Sequence, residues 1–210
     1  MITLLRILFF ALIVKPLVYI ILGINVRDAE LMPKKGPAII AANHNSHIDT
    51  LILMSLFPLR KIMDIHPVAA ADHFLKTRTG SWFFLNVIGI IPIERNIIHK
   101  NMFKEVNESL EQGKIIIIYP EGTRGEPEVM HEFKSGIAHL SKQNPEVPVI
   151  PVFMSGTGKV LPKDEGLIVP FICDVCIGEA IRWCGDKENF MNSLKQKFED
   201  LRRKIWHSTF

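Results

Sequence analysis

The N-terminal end constrains this chain more than any other stretch. From Ile2 to Gly23 the sequence is nearly all apolar, broken by Arg6, Lys15 and Pro16. A single helix over this stretch would be about 33 Å long, just enough to cross a hydrocarbon core of about 30 Å. Against a span, Lys15 falls mid-segment, and the Pro16 ring clashes with the preceding turn and disfavours helix at Lys15. The expectation is two short apolar helices forming a monotopic anchor in one leaflet, with a single span as the competing reading. Being apolar on all sides, the stretch does not fit an ordinary core helix with one buried stripe. No small-residue cleavage site follows it, so it does not read as a signal peptide. Residues 1–32 are therefore assigned to a membrane-associating helical segment and 33–210 to one globular domain, the size a single core supports.

Charge and cysteine content narrow the partners. Twenty-five Lys+Arg against 22 Asp+Glu leave a net charge of +3. That is too mild for a nucleic-acid partner but compatible with an anionic membrane surface. Three cysteines make no disulfide framework and point to a reducing compartment, hence the cytoplasmic face of a membrane. Cys173 and Cys176 form C-x-x-C, but no second pair completes a zinc site. A strand would send them to opposite faces, as buried structural thiols.

Past the turn cluster 33–37, short apolar runs alternate with amphipathic stretches. The runs at 37–42, 66–71, 89–93, 114–119 and 147–154 read as strands, apolar on both faces and therefore covered on both. Between and after them, Ile98, Met102, Phe103, Val106 and Leu110 share one helical face. Phe190, Met191, Leu194, Phe198, Leu201 and Ile205 share another. The fold class is α/β: a mixed, largely covered sheet flanked by helices. Residues 162–177 hold further strand-like runs, whose order in the sheet Pro170 obscures.

Two polar clusters follow directly on strands, where α/β folds place their sites. In the first, Asn43-His44-Asn45-Ser46-His47-Ile48-Asp49, a neutral imidazole at His44 can take a proton from a hydroxyl while Asp49 fixes its tautomer. Residues five apart on a helix point about 140° apart, so the pair requires a turn before the helix begins. The same residues also read as a capping box, Ser46 with Asp49, or as a metal site of His44, His47 and Asp49. In the second, Tyr119-Pro120-Glu121-Gly122-Thr123-Arg124-Gly125, Gly122 lets backbone N–H groups approach an anion, Thr123 adds a hydroxyl and Arg124 a fork suited to phosphate. An ordinary turn is the alternative. Arg95 ends the run 89–95 and reads either as a further anion contact or as a solvated strand end. No G-x-S-x-G elbow is present, and Ser155-Gly156-Thr157-Gly158-Lys159 departs from a phosphate loop at both ends.

Taken in order, Asn43-His44-x-Ser46-x-x-Asp49, Gly89-x-x-Pro92-x-Glu94-Arg95, Glu121-Gly122-Thr123-Arg124 and Val147-Pro148-Val149-Ile150-Pro151 resemble the four blocks of the glycerolipid acyltransferase family, and in particular bacterial lysophosphatidate acyltransferases. Phe133-Lys134-Ser135-Gly136 extends the likeness. The chain departs from the family at Glu94, where Asp is common, and at Gly125, where Ser, Lys or Arg is common. The resemblance implies that an acyl group passes directly from an acyl-CoA or acyl carrier protein thioester to the hydroxyl of a lysophospholipid, foremost lysophosphatidate. It implies His44 as general base, Asp49 as its orienting partner, and Arg95, Glu121, Gly122, Thr123 and Arg124 on the acceptor side. No metal and no cofactor beyond the donor are expected. The same chemistry on another lysolipid, a non-catalytic lipid-binding protein and a metal-dependent hydrolase are the competing functions.

Overall fold

The computed structural model describes residues 1–74, 77–94, 102–125, 129–160 and 169–206. Seven strands form one mixed sheet: β1 (Ile24–Arg27), β2 (Ala38–Ala42), β3 (Ile65–Ala70), β4 (Ile91–Ile93), β5 (Ile115–Ile118), β6 (Val149–Ser155) and β7 (Cys173–Ile177). Their order is β1-β7-β6-β2-β5-β3-β4. All neighbours are parallel except β6 and β7. The five predicted strands are all present. β1 and the position of β7 were not foreseen, and β1 lies inside the segment assigned to the membrane.

Among the described residues the sheet is accompanied by helices α1 (Ile2–Leu22), α2 (Ile48–Ser55), α3 (Ala71–Phe74), α4 (Arg78–Phe83), α5 (Lys104–Glu111), α6 (Gly136–Gln143), α7 (Thr157–Val160) and α8 (Lys187–Trp206), with 3-10 turns at Ala29–Leu31 and Leu59–Asp64 and a π-helical turn at Phe84–Ile88. Alternation along the central strands divides the core in two. Ala38, Ile40, Ile115 and Ile117 face α1 and α2, while Ile39, Ala41, Ile116 and Ile118 face α5, α6 and α8. Cys173 lies in the first core and Cys176 in the second, both buried, as the strand period requires. The predicted stripe on α8 is buried throughout, as are Phe103, Val106 and Leu110 beside and along α5. Ile98 lies outside the described residues.

One expectation is corrected. The N-terminal stretch does not break at Pro16: Lys15 (φ −63, ψ −46) and Pro16 (φ −59, ψ −43) are helical, and α1 runs on to Leu22. The helix accommodates the proline by widening, with π-helical turns at Phe10–Val14 and Leu17–Leu22 on either side. In such turns the Lys15 N–H bonds to the Phe10 carbonyl, five residues back, which relieves the i−4 geometry that a proline ring obstructs.

Nor is α1 free of the domain. Arg6, Phe10, Val14, Val18 and Leu22 recur every four residues and are all buried. The Arg6 guanidinium donates to the Ile65 carbonyl at 2.7 Å. It fills the place where a Cβ on Gly89 would stand 2.2 Å from Nη1, so glycine is required there for space as well as for its φ of +76. Lys15 Nζ and the Tyr19 hydroxyl both donate to the Ser55 carbonyl, at 2.8 and 3.2 Å. A cation there meets the negative end of α2. The opposite side of α1, including Leu4, Leu8, Leu12, Ile13, Ile20 and Ile21, is exposed.

Candidate active site

Parallel pairing brings the ends of β2, β5, β3 and β4 to one edge of the sheet, where open α/β sheets bind their ligands. The first polar cluster begins there. Asn43, buried, donates from Nδ2 to the Met154 carbonyl (2.8 Å) and to Asn45 Oδ1 (2.9 Å), and its Oδ1 accepts the Met154 N–H at 2.7 Å. The side chain imitates a peptide group, prolonging the β2–β6 pairing into the turn that carries His44. Sequence reasoning assigned Asn43 no role of its own; a donor–acceptor amide at a strand end was the available signal.

Because α2 starts only at Ile48, residues 43–47 form the turn that the five-residue spacing demands. His44 Nδ1 lies 2.9 Å from Asp49 Oδ2. The same oxygen accepts the backbone N–H groups of Asn45 and Ser46, each at 2.8 Å, and the carboxylate is fully buried. Of the three readings of this cluster, two meet in this carboxylate: it accepts the Ser46 N–H, as the returning half of a capping box would, and it holds the imidazole. The Ser46 hydroxyl accepts the Ile48 N–H at 3.4 Å, and α2 is entered through His47. With Nδ1 engaged, Nε2 is the nitrogen left to exchange a proton.

The second cluster encloses the first. Glu121, buried, accepts the His44 N–H on Oε1 (2.8 Å) and the His131 N–H on Oε2 (2.9 Å). Burial raises its pKa, and the two backbone donors oppose that rise. The Gly125 N–H donates to the His44 carbonyl at 2.9 Å, so both peptide groups of His44 are held by this turn. Tyr119 stacks on the imidazole with ring centroids 4.0 Å apart and 16° between planes, and its hydroxyl shares a hydrogen bond of 2.8 Å with Thr50 Oγ1. Burial, reinforced by the charge on Asp49, pushes the Tyr119 phenol well above its usual pKa and keeps it neutral. The stacking role of Tyr119 was not read from the sequence, where it was only the residue closing a strand.

A cavity of about 910 Å³ opens in front of His44. Its lining is largely apolar and aromatic, with Phe9, Phe74, Phe83, Phe84, Ile88 and Ile90, and it also carries Gly122, Thr123, Arg124, Lys134 and Ser135. Gly122, at φ +71, makes the turn toward it. Of the predicted site residues, His44, Asp49, Gly122, Thr123 and Arg124 therefore come together. Glu121 belongs to the same assembly but faces backbone and is not among the residues lining the cavity. Arg95 lies outside the described residues. His47 is exposed at the cavity rim, its ring edge-on to Phe74 with centroids 6.4 Å apart. Among the described residues no three His, Cys, Asp or Glu side chains group to hold a metal.

Comparison with known proteins places this arrangement. The family model described as Acyltransferase matches residues 23–155. Mouse 1-acyl-sn-glycerol-3-phosphate acyltransferase alpha is 31% identical over 143 residues, covering 68% of this chain and 48% of that protein. The Pseudomonas aeruginosa 1-acyl-sn-glycerol-3-phosphate acyltransferase is 28% identical over 178 residues, covering 83% of this chain and 65% of the relative. The chain spans about half the length of the curated relatives it matches. The crystal structure of the 1-acyl-sn-glycerophosphate acyltransferase PlsC from Thermotoga maritima has a similar fold, with TM-score 0.70 at 21% identity over 98% of this chain and 78% of the other. With a histidine and an aspartate joined at the cavity mouth and a family match over more than half its length, the chain belongs to the glycerolipid acyltransferase family.

Proposed function

We propose that this protein transfers a fatty acyl group from an acyl-CoA or acyl carrier protein thioester to the free hydroxyl of lysophosphatidate, forming phosphatidate. His44 Nε2 takes the hydroxyl proton as the oxygen attacks the thioester carbonyl. Asp49 holds the tautomer and stabilises the imidazolium. Collapse of the tetrahedral intermediate expels the thiolate, which receives the proton from Nε2. The phosphate is met by Arg124, the Thr123 hydroxyl and backbone at Gly122, with Arg95 assigned to the same headgroup; Glu121 acts by fixing the His44 backbone. No metal or cofactor takes part beyond the donor. The observation that carries the reading is the His44–Asp49 contact of 2.9 Å, with His44 lining a largely apolar cavity that also holds Arg124 and Lys134.

The same reading places the protein on the cytoplasmic face of a membrane, monotopically. A helix with its Arg6-to-Leu22 stripe buried in the domain cannot cross a bilayer without abandoning that core, whereas its outer apolar side suits a single leaflet. Trp82 and Leu85, exposed on the helical segment whose Phe83 packs edge-on against Phe9, extend that surface.

The deciding experiment is transfer of labelled acyl from a long-chain acyl-CoA to a panel of lysolipids, with wild type beside His44→Ala. Phosphatidate from wild type alone supports the proposal. Acylation of a different lysolipid removes the acceptor and keeps the mechanism, and equal activity of the variant removes the mechanism.

A further inference from the structure

Lys134 stands in the cavity without a role. Its backbone N–H donates to the Pro120 carbonyl at 2.8 Å, which turns residue 134 back over the Glu121–Arg124 loop. Its side chain lies on Gly122: a Cβ there would stand 2.9 Å from Lys134 Cδ and 3.0 Å from Nζ. The missing side chain of Gly122 is thus the space the lysine stem occupies. The ammonium makes no ion pair with a carboxylate among the described residues, and Glu121, the acid of this loop, directs both oxygens to backbone N–H groups. Among the residues lining the cavity, Arg124 and Lys134 are the full cations and Asp72 is the one acid. The first residues of α6, Ser135 and Gly136, line the same wall.

Resting on the function proposed above, we infer that Lys134 is a second phosphate-binding cation, which meets the acceptor headgroup together with Arg124 across the Gly122 turn. A planar fork and a compact point charge then share one monoester phosphate. The donor thioester also carries phosphates, so the test separates the two.

Binding is measured by calorimetry without turnover. Wild type, Lys134→Met and Lys134→Arg are titrated with a short-chain lysophosphatidate, the matching monoacylglycerol and a non-hydrolysable acyl-CoA analogue. Loss of one charge-assisted contact weakens affinity by about 10- to 100-fold. The expected result is that loss for lysophosphatidate in Lys134→Met, most of it restored in Lys134→Arg, with monoacylglycerol and the acyl-CoA analogue unchanged. Equal lysophosphatidate affinity in wild type and Lys134→Met overturns the inference, as does a loss confined to the acyl-CoA analogue or equal for monoacylglycerol. A wild type that binds lysophosphatidate through Lys134 yet never acylates it defeats the proposed function and leaves the lysine assignment standing.

Discussion

The loop after β2 and the loop after β5 leave adjacent parallel strands at the same edge, yet they are built on opposite plans. The first is held from within: Asp49 gathers the Asn45 and Ser46 N–H groups and the imidazole onto one oxygen. The second spends its buried carboxylate outward, on the backbone of His44 and His131. On the proposed mechanism, the carboxylate in contact with the imidazole acts on its proton, and the carboxylate bonded only to the histidine backbone acts on its position. Similar chemistry on neighbouring loops therefore serves different ends, and geometry tells them apart where residue type does not.

Substitutions grade that division. His44→Ala removes the base itself and is expected to lower kcat by about 10⁴-fold or more, read by acyl transfer at saturating substrates. Asp49→Asn keeps an acceptor for the two backbone N–H groups but loses the charge that stabilises the imidazolium. A fall in kcat of about 10²- to 10³-fold with a nearly unchanged melting curve is expected. Glu121→Gln can accept on one side only, leaving a backbone donor unpaired. It is expected to cost about tenfold in kcat together with about 1–3 kcal/mol in denaturant titration. A Glu121→Gln variant as inactive as Asp49→Asn and equally stable would collapse the distinction between the loops. Tyr119→Phe keeps the stack and loses the bond to Thr50, so kcat should stay within about threefold and stability within about 1 kcal/mol. A larger kinetic loss would place the hydroxyl in the chemistry.

Much of this was legible in the sequence because it rests on short-range pattern. Five apolar runs became strands, the six-residue stripe from Phe190 to Ile205 became the buried face of α8, and the spacing of His44 and Asp49 demanded the turn that forms. What escaped depends on partners distant in the chain. β1 is an edge strand of four residues, alternating Ile24 and Val26 with polar Asn25 and Arg27, and only its pairing with β7, some 149 residues on, defines it. The helix through Pro16 depends on a register wider than the α-helical one assumed in judging proline. The buried stripe of α1 was invisible because a helix apolar all round gives no clue which side meets protein. The inward turn of Glu121 was hidden because a carboxylate facing solvent and one facing backbone have the same letter.

The buried guanidinium near the start of α1 sets an order of events during synthesis. Its acceptor, Ile65, and the glycine that makes room for it, Gly89, leave the ribosome 59 and 83 residues later, several seconds at ordinary elongation rates. In that interval the cation has no protein carbonyl to bind, and the stripe from Arg6 to Leu22 has no core to enter. Docking of α1 therefore waits on strands made well after it, and closing the first core and seating the helix become one late step.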